Sequence, residues 1–275
     1  MAITFKSRPA LIVYVTCGDP HLRTTREIAL AAISAGAEVI ELGVPFSDPV
    51  ADGPVIQRAS ERALKNGASL KDVINLAAEI RRESNAGLII FSYFNPVLRM
   101  GLEKFAKDAV AAGVDGALIT DLPTEEADEY LRQMRKYNLA TVFLAAPTST
   151  DERLQRIAEF STGFIYAVSR TGVTGAQKQL PEDAQKLVQR LGKFTRLPIA
   201  VGFGISLPEQ FRAVGKFAEA AVVGSAIVQL IESSPGNEAN AVAKWIKDLL
   251  ASAINHQPSA VSKGGRQERR IAGAD

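Results

Sequence analysis

Glu41 and Asp52 are the residues of this chain best suited to moving protons. Glu41 stands at the end of a short apolar run, Val39 to Leu42, and the stretch that follows, Gly43 to Gln57, carries Asp48 and Asp52 among three prolines and two glycines. That density of Pro and Gly argues against a long helix or strand there. An isolated Asp-Pro or Asp-Gly pair reads as a solvated turn with Asx-type capping. Glu41 resists that reading, because a carboxylate at the end of an apolar strand needs a cavity or partners to receive it. Partial burial raises a carboxyl pKa and suits Glu41 to exchange protons near neutrality, whereas Asp52, in a looser loop, stays ionised more easily and can accept an N–H hydrogen bond. Two carboxylates in unlike environments are the usual basis for divided acid and base roles.

The rest of the sequence offers little competing chemistry. His21 and His256 are the only histidines, so a His-based triad or a multi-histidine metal site lacks material, and both read as surface side chains. No lysine stands at a clear strand end to serve as a Schiff-base nucleophile. Cys17 is the single cysteine, which rules out an intrachain disulfide and favours a reducing compartment. Three glycine-bearing stretches do form a pattern: Ser169 to Gly175, Gly202 to Ser206, and Gly224 to Ala226 each follow an apolar run. Taken singly each is a turn. Placed on neighbouring strands, with Ser225 opening a short helix, they present free backbone N–H groups to an anion and predict a phosphate site. No GxxxxGKS or GxGxxG helix start accompanies them, so a nucleotide is not implied.

The elements that position these residues alternate. Apolar runs at 11–16, 39–42, 88–93, 116–120, 140–145, 164–168, 197–201 and 220–223 read as eight strands, apolar throughout as a sheet covered on both faces requires. Between them, helical spacing predicts helices over 24–36, 70–82, 102–112, 125–137, 151–159, 181–191 and 207–214, with a last long helix over 238–254. Eight such units in about 250 residues predict a single-domain α/β (βα)8 TIM barrel spanning residues 1–256, with its active site at the C-terminal ends of the strands. Residues just beyond the strands should then converge on one face, among them Asp19, Glu41, Asn95, Asp121, Arg170, Gly204 and Ser225. A doubly wound sheet is the alternative the pattern leaves open.

At 275 residues with 47% hydrophobic side chains, the chain can bury one large core. No apolar run is long enough to span a membrane, and the start has no secretory pattern, which together predict a cytoplasmic protein. The net charge of +2 comes from the tail after His256, where four cations face two carboxylates, leaving the body neutral and without the basic face that nucleic acid needs. Residues 257–275 hold little apolar material and are expected to be disordered.

The segment ELGVPFSDPVADGPVIQ, residues 41–57, resembles the signature of the tryptophan synthase alpha chain family, and the similarity runs from about Leu11 to Leu250. The resemblance implies a TIM barrel that cleaves indole-3-glycerol phosphate to indole and glyceraldehyde 3-phosphate, with no cofactor of its own. It implies proton transfer by Glu41 and an indole N–H held by Asp52. Tyr14, Tyr166 and Phe203 become candidate walls for the ring, with plain barrel core as their competing reading. It also implies a phosphate held by Gly175, Gly204, Gly224 and Ser225, and a loop carrying Arg170 and Thr174 that closes over the substrate. As partner it implies a pyridoxal-phosphate beta subunit in a tetramer of two alpha and two beta chains, docked on loops containing Pro45 and Asp48, and Asn95 and Pro96.

The chain departs from the family in having only about ten residues before its first strand, where members usually carry a helix closing the bottom of the barrel. Lost cover and an exposed apolar patch are the expectation. Other readings remain: a lyase that releases indole without a beta subunit, a phosphate-binding barrel isomerase with its acid and base on other strands, and a noncatalytic binding protein.

Overall fold

The computed structural model describes residues 3–168, 182–202 and 204–254. Its eight strands are β1 (Ala10–Thr16), β2 (Val39–Gly43), β3 (Gly87–Ser92), β4 (Gly116–Ile119), β5 (Ala140–Ala145), β6 (Ile165–Val168), β7 (Ile199–Gly202) and β8 (Ala220–Val223), and they close into one barrel in chain order. Each is parallel to the next, and β1 pairs with β8. The doubly wound alternative is therefore excluded.

Strand pleating sorts the apolar residues into two layers. One parity, including Ile12, Val39, Ile89, Leu118, Val142 and Val222, fills the barrel interior with Phe164. The other, including Leu11, Val13, Ile40, Leu42, Leu88 and Ile90, packs outward against the helices. Both sets are buried, which is why the strands read as continuous apolar runs.

Eight helices cover the outside, one per strand: α1 (Leu22–Ala35), α3 (Leu70–Arg81), α5 (Leu102–Ala111), α6 (Asp128–Lys136), α7 (Asp151–Phe160), α8 (Glu182–Leu191), α9 (Pro208–Val214) and α11 (Glu238–Ile254). Three more, α2 (Pro54–Lys65), α4 (Phe94–Met100) and α10 (Ser225–Glu232), are inserted after β2, β3 and β8, ahead of the covering helix of each unit. The short α10 was expected; α2 and α4 are not among the helices that the spacing predicts, and α2 begins inside the stretch whose Pro and Gly argue against a long helix. Pro54 begins α2 at its first position, where the missing N–H removes no intrahelical bond, and Ala59, Ser60 and Ala63 form its buried face. The helix expected over 125–137 is also broken, into a 3-10 turn (Thr124–Glu126) and α6.

At the N-terminal ends of the strands the expected lack of cover is not found. The extended segment before β1 turns Ile3 and Phe5 onto the interior layer, with the Phe5 and Phe164 rings 6.0 Å apart. Glu38 fixes it by accepting the backbone N–H groups of Lys6 at 2.5 Å and Ser7 at 2.9 Å. Ile3 and Phe5, on a segment anchored by Glu38, thus cover the end of the barrel that was expected to lose its cover.

Candidate active site

Glu41 lies in register with Tyr14 of β1 and Ile89 of β3, on the inward parity of β2. It is 0% exposed, and neither carboxyl oxygen has a hydrogen-bond partner among the described residues. An ionised carboxylate in such a place would lack solvation, so burial pushes the Glu41 pKa up to about 8. The acid is held protonated near neutrality, ready to donate.

Asp52 is held differently. It is half-buried in the β2–α2 loop, and its Oδ2 accepts the Tyr93 hydroxyl at 3.1 Å while that hydroxyl accepts the Ala51 N–H at 2.9 Å. Its backbone oxygen accepts the Gln57 side-chain amide at 2.8 Å, which ties the loop to the first turn of α2. Burial raises the Asp52 pKa to about 6, with the Tyr93 hydrogen bond opposing the rise. Between about 6 and 8 these shifts favour a protonated Glu41 and an ionised Asp52. Tyr93 was not singled out beforehand. It is the first residue past β3 and stacks on Phe46 at 4.9 Å, so Phe46 steadies the ring whose hydroxyl orients Asp52.

Tyr14 and Tyr166 each lie over a glycine of the next strand. A Cβ at Gly43 would stand 2.3 Å from the Tyr14 hydroxyl, and one at Gly202 would stand 2.3 Å from the Tyr166 hydroxyl. Only glycine admits these rings, so Gly43 and Gly202 set the walls although neither carries a functional group. Burial raises the pKa of both phenols first; Asp52 and Glu41 add to the rise at Tyr14, where the Thr16 hydrogen bond opposes it, and Glu41, Tyr14 and Asp52 add to it at Tyr166. Both phenols thus stand within electrostatic reach of Glu41 and Asp52. Tyr14 also serves as packing, edge-on to Phe91 at 5.1 Å and clustered with Ala59 and Val228.

Gly224 is the N-cap of α10, and among the described residues no side chain caps that helix start, an arrangement that can turn the N–H groups opening at Ser225 toward an anion. Gly204 is exposed, with φ +78, a backbone conformation suited to glycine. Arg170, Thr174, Gly175 and Phe203 lie outside the described residues.

Of the segments expected to face a partner, Asp48 and Asn95 are exposed, Pro96 is half-buried and Pro45 is buried. Pro45 therefore shapes the loop whose exposed carboxylate is Asp48. Asn95 and Pro96 belong to the first turn of α4, and the Asp121 carboxylate fastens that helix by accepting the Phe94 N–H at 2.6 Å. Two exposed apolar side chains mark the same segments, Val50 at 86% and Leu98 at 55%. Asp19, expected among the converging strand exits, instead turns to Arg62 of α2 in a two-pronged ion pair with both contacts at 2.8 Å. His21 is exposed, Cys17 is buried, and His256 lies outside the described residues. Among the described residues no cluster of His, Cys, Asp or Glu is arranged to hold a metal, and no helix is long and apolar enough to cross a membrane.

Comparison with known proteins agrees with this geometry. The family model described as tryptophan synthase alpha chain matches residues 2–256. A tryptophan synthase alpha chain from Solibacter usitatus is 53% identical over 83% of this chain and 86% of its own length, and one from Neisseria meningitidis serogroup B is 46% identical over 87% and 92%. Among solved structures, a chain of the tryptophan synthase complex from Pyrococcus furiosus superposes with a TM-score of 0.84 at 40% identity, covering 90% of this chain and all of that one.

Proposed function

The chain belongs to the tryptophan synthase alpha chain family, and on that premise we propose that Glu41 performs the proton transfers of its reaction while Asp52 holds the indole N–H. The reaction is the lyase step of L-tryptophan biosynthesis: indole-3-glycerol phosphate is cleaved to indole and D-glyceraldehyde 3-phosphate, by an alpha subunit that works with a beta subunit. The observation that supports the assignment is the contrast between a fully buried, unpaired Glu41 and a half-buried, tethered Asp52.

The protonated Glu41 donates to indole C3, which turns the ring into a leaving group. Positive charge develops on the ring nitrogen, and the Asp52 carboxylate accepts its N–H. As the carbon–carbon bond breaks, the Glu41 carboxylate takes the proton of the glycerol hydroxyl that becomes the aldehyde. The hydroxyl proton has in effect moved to C3, and Glu41 ends as it began. Tyr14 and Tyr166 wall the ring. Gly204, Gly224 and Ser225, with Gly175 and Phe203, hold the phosphate, and Arg170 and Thr174 act in closing the site over the substrate, which excludes water.

We assign no cofactor to this chain and place pyridoxal phosphate in the beta subunit. The exposed Val50 and Leu98, on the segments carrying Asp48 and Asn95, favour a partner-dependent enzyme over a lyase working alone. The reading extends to a cytoplasmic enzyme whose function resides in residues 1–256; deleting 257–275 should leave indole release nearly unchanged, and a loss beyond tenfold would refute that boundary.

Single-turnover cleavage by the isolated chain tests the proton assignment. Glu41→Gln keeps shape and hydrogen-bonding capacity but cannot exchange a carboxyl proton, so the rate should fall by about 10²–10⁴-fold while substrate still binds. Asp52→Asn keeps an acceptor oxygen and loses only the charge, so a large but smaller loss is expected. Retention of more than a tenth of the rate in Glu41→Gln would overturn the assignment.

A further inference from the structure

The two helices that carry the halves of the site are bolted together by charge. Helix α10 begins at Gly224 and Ser225 and ends at Glu232, and helix α2 begins two residues after Asp52. Glu232 receives Arg58 of α2 through Nε at 3.0 Å and Nη2 at 2.8 Å, and Arg62 of α2 through Nη1 at 2.7 Å. The other face of the Arg62 guanidinium grips Asp19, 3% exposed, at the exit of β1. Four side chains thus join β1, α2 and α10 in one network. Nearer the barrel, Ala59 of α2 and Val228 of α10 meet over Tyr14, so the joint is apolar inside and ionic outside.

Glu232 is costly to its own helix, because a carboxylate in the last turn faces the negative end of the helix dipole. The arginines reverse the balance and hold its pKa down to about 2. A side chain that opposes its own helix and is compensated, among the described residues, from another helix acts at the junction between the two. On the reading above, α10 presents its N-terminus to the phosphate and α2 is tied to Asp52 through the Gln57 amide. Anything that fixes α10 therefore fixes the base of the Asp52 loop.

We propose that Glu232, through Arg58 and Arg62, is a positioning residue that couples occupancy of the phosphate site to the placement of Asp52. The inference rests on the phosphate and Asp52 assignments and adds the connection between them. Coupling carried by a contiguous network of this kind typically changes affinity by about 5–150-fold, and it is reciprocal.

The test uses the full chain with inorganic phosphate and indole as probes, following indole binding by calorimetry with and without saturating phosphate. Wild type should bind indole at least about fivefold more tightly when phosphate is present. In Glu232→Gln the ratio should fall below about twofold, while phosphate affinity alone changes less than about threefold. Arg58 and Glu232 are 48% and 31% exposed, so neither substitution should unfold the chain, and exposed pairs add little to stability. Arg58→Met cuts the α2 arm independently and should also lower the ratio. A wild-type ratio near one, or a ratio preserved in both variants, overturns the coupling. Failure of phosphate to bind wild type would instead overturn the phosphate assignment, and the coupling with it.

Discussion

Neighbouring strands end in two buried carboxylates that are treated in opposite ways. At the exit of β1, Asp19 is 3% exposed and both its oxygens are met by Arg62. In β2, Glu41 is 0% exposed and neither carboxyl oxygen has a hydrogen-bond partner among the described residues. The paired carboxylate fastens architecture: Arg62 meets both its oxygens, and the pair orients α2. The unpaired one is kept neutral by its surroundings, which is a cost to the fold and an asset to an acid. Position at a strand end therefore does not mark the catalytic group by itself; the absence of a partner does.

The sharpest way to break this contrast is to neutralise each carboxylate and compare stability. Asp19→Asn should destabilise the chain by about 2 kcal/mol, less than the loss for a fully enclosed pair because the Arg62 guanidinium keeps some contact with water. Glu41→Gln should do the reverse. Its pKa is raised on folding, so the folded state binds a proton that the unfolded state has lost, and wild-type stability falls as pH rises from the ordinary carboxyl range through about 8. The glutamine variant escapes that fall and should be the more stable protein at pH 8, by an amount on the order of a few kcal/mol. Thermal unfolding at pH 5 and pH 8 reads both. Equal destabilisation by the two substitutions would erase the distinction.

A smaller effect is expected at the phosphate end. Gly224 leaves the start of α10 uncapped, and a Cβ there would only touch Tyr14 at 3.5 Å, so the backbone tolerates a side chain. Gly224→Glu should then fold, cover the N–H groups and add like charge, raising the Michaelis constant by about tenfold or more, the equivalent of about 1.4 kcal/mol. Steady-state kinetics with indole-3-glycerol phosphate would show it, and an unchanged constant would place the phosphate elsewhere.

What the sequence revealed and what it hid follow from the same physics. The strands were legible because a barrel buries both faces of each one, and Glu41 stood out as the carboxylate within such a run. Helix α2 was hidden because Pro54 reads as a breaker until it is known to occupy the first helical position, although Val55, Ile56, Ala59 and Ala63 already carried the helical spacing. The pairing of Asp19 with Arg62 was hidden for a different reason: the partners lie 43 residues apart on separate elements, and nothing local selects one arginine over another. The covering role of Ile3 and Phe5 was missed because two apolar residues in an extended strap show no periodicity to read.

The subtlest test of the contrast lies between the extremes, at Asp52, which is neither bare like Glu41 nor salt-bridged like Asp19. Among the described residues its side-chain tether is the Tyr93 hydroxyl, and that hydrogen bond favours the ionised form against the effect of burial. If the active enzyme needs Glu41 protonated and Asp52 ionised, the rate should follow a bell with limbs near 6 and 8, falling in acid as Asp52 takes up a proton and in base as Glu41 loses one. Tyr93→Phe removes the tether while keeping the ring that stacks on Phe46. The sign is fixed: with the stabilising bond gone the Asp52 pKa rises, so the acid limb should move upward and narrow the bell, while the basic limb, set by Glu41, stays in place. A rise of one unit, the equivalent of about 1.4 kcal/mol, carries the acid limb from about 6 to about 7 and costs about twofold at pH 7, with a larger loss below it. Single-turnover rates from pH 5 to 9 for wild type and variant separate the limbs. An acid limb that stays fixed or moves downward would mean that Tyr93 does not govern the ionisation of Asp52 and that the carboxylate's environment is set by burial alone.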